Sequence, residues 1–138
     1  MALNPKTAVA RRNAALNAAF DTVLDAGKLG IFDGTQPTDA DTALGAQVLL
    51  AELTFGATAF AAASAGSKAA NAITQDSSAN ASGTAAWASL YPTARTTTGT
   101  MDMSAGVSGS TPNLVLNSAS ISALAAVSCS SLTITQAA

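Results

Sequence analysis

Apolar residues near the start of the chain follow a helical spacing. Four of them recur at intervals that place them on one face of a helix: Leu16, Phe20, Val23 and Leu24. Asn4 is a favourable N-cap, and Pro5 suits the first helical position that follows it. Gly27 suits the position just beyond a helix end. The pattern predicts a helix over residues 4–26.

After residue 27 the apolar residues fall into short runs separated by Gly, Pro, Asn, Ser and Asp, which is typical of strands and turns. These runs predict six strands, at residues 29–32, 48–55, 84–90, 100–103, 113–116 and 127–135. In the last run the apolar residues switch from odd to even positions, and so from one strand face to the other. A bulge is therefore expected near Ser130 and Ser131. Residues 57–72 are expected to form a connection with at most a turn or two of helix, because Gly66 and several serines disfavour a longer one.

Short strands with frequent turns and no long helices between them predict a mainly β protein. The expected architecture is an antiparallel β-sandwich or jelly-roll-like body over residues 29–138, preceded by an N-terminal helix or arm over residues 1–28. Aromatic residues make up only 4% of the chain. Six large side chains are the predicted anchors of the core: Phe20, Phe32, Phe55, Phe60, Trp87 and Tyr91.

The chain is unusually poor in charge. Charged residues make up 10% of it, against about 25% in ordinary soluble domains. A surface of this kind favours a protein that packs against copies of itself or a partner, although codon bias in a GC-rich genome also enriches alanine. The net charge of −2 argues against nucleic-acid binding. No signal peptide is expected, and the apolar residues 43–66 are interrupted by Glu52 and other polar residues, which argues against a membrane span.

The residue types needed for catalysis are scarce. The chain has no histidine and one cysteine, Cys129, which is expected to pack as a small apolar side chain. Ser67 and Lys68 lack the spacing of a serine acylase or a phosphate loop, so Lys68 is predicted to be an exposed loop lysine. Glu52 has no second carboxylate nearby and is expected on an outer face or edge. No catalytic or cofactor-binding residue is predicted, and an enzyme is disfavoured.

Three aspartates form the most conspicuous polar cluster: Asp33, Asp39 and Asp41. A calcium loop needs acidic ligands at alternate positions followed by a glycine, and only Asp39 and Asp41 alternate here. Asp33 and Gly34 instead form a turn signal, and Pro37 stiffens the segment that follows. We therefore predict turn residues and no metal site.

Trp87, Tyr91 and Arg95 lie close together in the sequence and raise the alternative of a stacking surface for a base or a sugar. Two aromatic side chains are too few for such a platform. A carbohydrate-binding sandwich is therefore disfavoured, and Trp87 is predicted to anchor the core.

Several segments of the chain resemble a family of small virion proteins of tailed bacteriophages. The similar segments are IFDGTQP at 31–37, LLAELTF at 49–55, AF at 59–60, SGTAAW at 82–87, and residues 113–135. Together they span most of residues 10–135. The sequence departs from the family pattern after Trp87, where it reads ASLYPTARTTTGTM.

The resemblance implies a capsid decoration, or cement, protein that binds the major capsid protein lattice and stabilises the head. The alternative is a tail or neck component, such as a tube or completion protein. The implied partners are the major capsid protein and copies of the chain itself in a homo-oligomer. The implied location is the head surface of the virion, after assembly in the bacterial cytoplasm. The candidate contact residues are Arg11, Arg12, Asp33, Gly34, Pro37, Asp39 and Asp41.

Overall fold

The computed structural model describes residues 5–95, 99–109 and 112–138. The helix and strands, in chain order, are α1 (Val9–Phe20), β1 (Lys28–Phe32), β2 (Leu49–Phe55), β3 (Ser67–Ala69), β4 (Ile73–Thr74), β5 (Gly83–Thr84), β6 (Trp87–Tyr91), β7 (Met101–Val107), β8 (Leu114–Leu116), β9 (Ser120–Ile121) and β10 (Thr133–Thr135). No helix in this described part of the chain is long and apolar enough to cross a bilayer.

Helix α1 is shorter than the predicted helix at both ends. Pro5 lies four residues before its first residue, and the predicted cap Asn4 lies outside the described residues. The helix ends at Phe20 because the next residue is extended and Thr22 adopts a positive φ of 66°. This reversal directs Leu24 into the core, where it is fully buried.

Six strands form one sheet in the order β4-β2-β1-β6-β7-β8. Its pairs are antiparallel except β7 and β8, which run parallel. Two further antiparallel pairs, β10-β3 and β5-β9, lie outside this sheet. The prediction of a mainly β body with an N-terminal helix is confirmed, while the sheet is mixed rather than purely antiparallel.

Strand bounds differ from the predicted ones where apolar alternation is weak. Strands β1, β2, β6, β7 and β8 overlap predicted runs. The prediction of a single bulged strand over residues 127–135 was wrong. Only Thr133–Thr135 is a strand, and Val127 forms an isolated bridge with Asp76. Residues 57–72 contain β3 rather than helical turns, and β4 and β9 were not predicted.

The main core lies against one face of the six-stranded sheet. Leu29 and Ile31 of β1 point into it and are fully buried. Helix α1 contributes Leu16 and Phe20, and the Phe20 ring lies 6.0 Å from that of Phe60. Cys129 also belongs to this core, which confirms its predicted packing role.

The opposite face of the sheet, called the outer face here, carries a second small core. Phe32 and Trp87 stack there with ring centroids 4.5 Å apart and an interplanar angle of 16°. Tyr91 completes the cluster, and Leu44 and Leu49 pack against it. All six predicted aromatic anchors are buried, but Trp87 anchors this second core rather than the main one.

Candidate functional site

The segment between β1 and β2, residues 33–48, covers the aromatic cluster of the outer face and is called the Asp loop here. Asp33, the first residue of the loop, is joined to Val48, the last, because Asp33 Oδ1 accepts a hydrogen bond from the Val48 backbone N–H at 2.7 Å. Its carbonyl oxygen accepts one from the Trp87 indole Nε1 at 3.0 Å. Asp33 therefore acts as a structural link between the loop and the sheet.

Hydrogen bonds inside the Asp loop fix its shape. Asp39 Oδ1 accepts a hydrogen bond from the Thr42 hydroxyl at 2.7 Å, as turn aspartates commonly do. Gln47 donates to the Thr35 carbonyl at 2.6 Å. Gly34 has a positive φ of 74°, a conformation that glycine adopts without strain. These bonds fix the course of the loop backbone, on which Asp39 and Asp41 are exposed.

A buried ion pair fastens the other side of the Asp loop. Arg95 Nη2 lies 2.9 Å from Asp102 Oδ2, and the two side chains are only 1% and 2% exposed. The same Nη2 donates to the Thr42 carbonyl at 3.0 Å, and Arg95 Nε donates to Ser89 Oγ at 3.1 Å. Arg95 therefore has a buried structural role and does not join a stacking surface. Residues 96–98, part of the segment that departs from the family pattern, lie outside the described residues.

Next to this pair, Tyr91 crosses the outer face above Gly30. Its hydroxyl donates to Glu52 Oε2 at 2.7 Å, and a Cβ on Gly30 would clash with it. Glu52 Oε1 lies 3.9 Å from Lys28 Nζ, so Glu52 lies on the outer face as predicted. Burial and the hydrogen bond to Glu52 raise the pKa of Tyr91 well above its ordinary value.

The structure separates the predicted contact residues into two groups. Five lie together in the Asp loop: Asp33, Gly34, Pro37, Asp39 and Asp41. Arg11 and Arg12 lie on α1, where Arg12 Nη1 donates to the Gln136 carbonyl at 3.1 Å. Within the ranges that the structure describes, no three Asp, Glu, Cys or His side chains are grouped as a metal ion would require.

The prediction of an exposed loop lysine was wrong. Lys68 is fully buried, with 0% of its side chain exposed. Its ammonium group contacts Asp21 Oδ1 at 2.5 Å, Asn17 Oδ1 at 2.8 Å and the Ala61 carbonyl at 2.9 Å. These groups, together with the backbone N–H of Ala63, form what we call the lysine cluster. Three acceptors satisfy the three donors of the ammonium group, which allows the charge to be buried.

The sequence did contain a signal for this cluster. Asn13, Asn17 and Asp21 are spaced by four residues and therefore line one side of the helix and its end. Asn13 Oδ1 accepts from the Gly66 N–H at 2.8 Å, and Asn17 Oδ1 accepts from the Ala63 N–H at 2.9 Å. A regular stripe of poor helix formers beside the apolar stripe indicates that helix α1 bonds to its own body through polar side chains.

Comparisons of the chain with protein-family models, with curated proteins and with solved structures found no significant match.

Proposed function

We propose that the chain is a structural protein of a tailed-bacteriophage virion, a decoration protein that binds the major capsid protein lattice and stabilises the head. One observation carries this proposal. The segments at 31–37, 49–55 and 82–87, which resemble the phage family, meet on the adjacent strands β2, β1 and β6. The Trp87 indole donates to the Asp33 carbonyl and so joins two of these segments directly. Convergence on one structural unit supports a real kinship more strongly than scattered similarity would.

The Asp loop is the proposed contact surface. Its backbone is held by Asp33, Gln47 and Arg95, so little conformational entropy would be lost when a partner binds it. Asp39 and Asp41 are exposed at this surface and favour a partner surface with basic residues. Many copies bound at once would hold the lattice together although each single contact is weak.

Helix α1 packs on its own body through one polar side and does not extend as a separate arm. Asn13, Asn17 and Asp21 all bind groups between residues 61 and 68. A contact of the N-terminal segment with a neighbouring subunit is therefore proposed for the positions that the body leaves exposed, residues 5–8 and Arg11, while Arg12 binds the Gln136 carbonyl.

Immunogold labelling of purified particles tests this proposal. An antibody against the chain should label the heads of the phage that encodes it, at many sites per particle. Label confined to the tail or neck would favour the alternative component, and particles that contain none of the chain would overturn a virion role altogether.

The contact surface is tested by cosedimentation with heads that lack the protein. Replacing Asp39 and Asp41 together with alanine should weaken binding, while the exposed Gln75→Ala variant, in the segment after β4, should bind as the unmodified protein does. Equal binding by all three would remove the Asp loop from the contact without affecting the virion assignment.

A further inference from the structure

We propose that Lys68 and Asn17 become joined by an intramolecular isopeptide bond, formed by the side chains of the lysine cluster themselves. The inference is independent of the proposed function. Lys68 Nζ lies 2.8 Å from Asn17 Oδ1. Because a carbonyl carbon lies about 1.2 Å from its oxygen, Nζ is within about 4 Å of the Asn17 Cγ that it would attack. Residues 17 and 68 are 51 positions apart, so the bond would tie the helix to β3.

The nucleophile has a base beside it. A lysine ammonium has no lone pair and cannot attack until it loses a proton. Asp21 Oδ1, at 2.5 Å, is placed to accept that proton. The Ala61 carbonyl, at 2.9 Å, keeps Nζ in place beside both groups.

The electrophile has a hydrogen-bond donor on the oxygen that develops charge. The Ala63 backbone N–H donates to Asn17 Oδ1 at 2.9 Å. Such a fixed donor stabilises the oxyanion that forms when a carboxamide is attacked. Two donors on the same oxygen, from Ala63 and Lys68, also fix which way the Asn17 carboxamide points.

The reaction balances without a cofactor or an oxidant. Asp21 takes a proton from the ammonium, and the free amine forms a bond to Cγ of Asn17. Through Asp21, a proton then passes from the attacking nitrogen to the carboxamide nitrogen. The Cγ–Nδ2 bond breaks, the carbonyl reforms and ammonia leaves, taking the proton still held by Asp21 as an ammonium ion. Asp21 is restored as a carboxylate, and its side chain is 46% exposed, which gives the leaving group a path to water.

Intact-mass spectrometry of the purified, unmodified chain tests the proposal. The protein should weigh about 17 Da less than its sequence, the mass of one ammonia lost on forming the amide. A protein that keeps its full mass after prolonged incubation in the folded state would overturn the proposal.

Tryptic mapping locates the bond, because other asparagines also lose ammonia when they cyclise. Trypsin cannot cleave after an acylated lysine, so residues 29–95 should remain one peptide and carry residues 13–28 as a branch. Ordinary cleavage after Lys68 in a protein of reduced mass would place the loss elsewhere and would equally overturn the proposal.

Two variants test whether the loss of ammonia needs the amine and the base while the protein remains folded. Lys68→Arg keeps a positive charge and several donors but supplies no amine, and Asp21→Ala removes the base without adding a second carboxamide. Both should keep full mass, and tryptophan emission from Trp87 should show that they remain folded. Loss of ammonia between residues 17 and 68 in folded Asp21→Ala, as fast as in the unmodified chain, would remove Asp21 from the mechanism.

Discussion

Tyr91 is the single tyrosine of the chain, so its ionisation can be followed by absorbance without interference from another phenol. Its pKa is raised in the folded protein, first by burial and then by the hydrogen bond to Glu52 and the charge of that carboxylate. The unfolded chain releases this proton near the ordinary value of 10.0. The folded state therefore holds a proton that the unfolded state loses in alkali.

The free energy of unfolding should consequently be insensitive to Tyr91 below pH 10 and fall as the pH rises above it. Denaturant unfolding at several alkaline pH values measures this, with Tyr91→Phe as the control. That variant should lose about 1 kcal/mol at neutral pH, where Glu52 loses its donor, and show a flatter alkaline decline. If Tyr91 in the folded protein ionised near the ordinary value of 10.0, the raised pKa would be contradicted.

Removing only one member of the buried ion pair between Arg95 and Asp102 should strongly reduce the free energy of unfolding. Arg95→Met leaves the Asp102 carboxylate buried and without its main partner, which should reduce the free energy of unfolding by about 3–5 kcal/mol. Urea denaturation measures the loss. Arg95→Met combined with Asp102→Leu should recover part of it, and a single-variant loss below about 1 kcal/mol would show that the pair is dispensable.

At the residue scale, sequence reasoning worked where a side chain has one dominant property. Phe55 and Trp87 are large and apolar, so their burial followed from residue type alone. The same reasoning gave a wrong prediction for Lys68, because lysine as a residue type is usually exposed. Its burial depends on acceptors from Asn17 and Asp21, which only the fold brings to it.

Among the elements, the Asp loop offers a direct contrast between two aspartates. Asp33→Ala should lower the free energy of unfolding by about 0.5–1.5 kcal/mol because the Val48 N–H loses its protein acceptor. Asp41→Ala, at an exposed position, should change it by less than about 0.5 kcal/mol. Thermal or denaturant unfolding compares the two.

The turn interpretation of this loop also predicts that calcium does not stabilise the protein. A rise in melting temperature on adding calcium, abolished when Asp39 and Asp41 are replaced by alanine, would show that the loop holds a metal. Similar losses of stability for Asp33→Ala and Asp41→Ala would instead show that the Asp33 link contributes little.

At the element scale, the sequence predicted strands wherever a run of apolar residues seeds one, as in β1, β2 and β6. Strand β3 was missed because Ser67–Ala69 contains no large apolar residue and forms by backbone pairing with Thr133–Thr135. Helix α1 was predicted too long because the spacing of Val23 and Leu24 fits a helix, whereas the positive φ of Thr22 depends on tertiary packing.

For the whole molecule, the position of the helix decides how an N-terminal arm is tested. Of residues 1–8, the structure describes residues 5–8, which are all exposed, and removing residues 1–8 should leave the unfolding midpoint nearly unchanged. Removing residues 1–27 also deletes Leu16, Phe20 and Leu24 and leaves Lys68 without Asn17 and Asp21. The longer deletion should therefore unfold the protein.

Circular dichroism and denaturant unfolding of both truncated chains measure this difference. Head binding by the shorter truncation then reports on an arm without a confounding loss of structure. If the chain without residues 1–27 unfolds with the same midpoint as the full chain, the helix contributes no stability to the body.

Strand β3 has a mechanical consequence, because both ends of the described chain are fastened to it. Helix α1 is attached through Lys68, and β10 is attached through three paired residues. Tension applied between the two ends would pass first through these two joints, while the six-stranded sheet stays largely unloaded. An isopeptide bond at Lys68 would make the helix joint covalent, so the hydrogen bonds between β10 and β3 would be the first joint to yield under load.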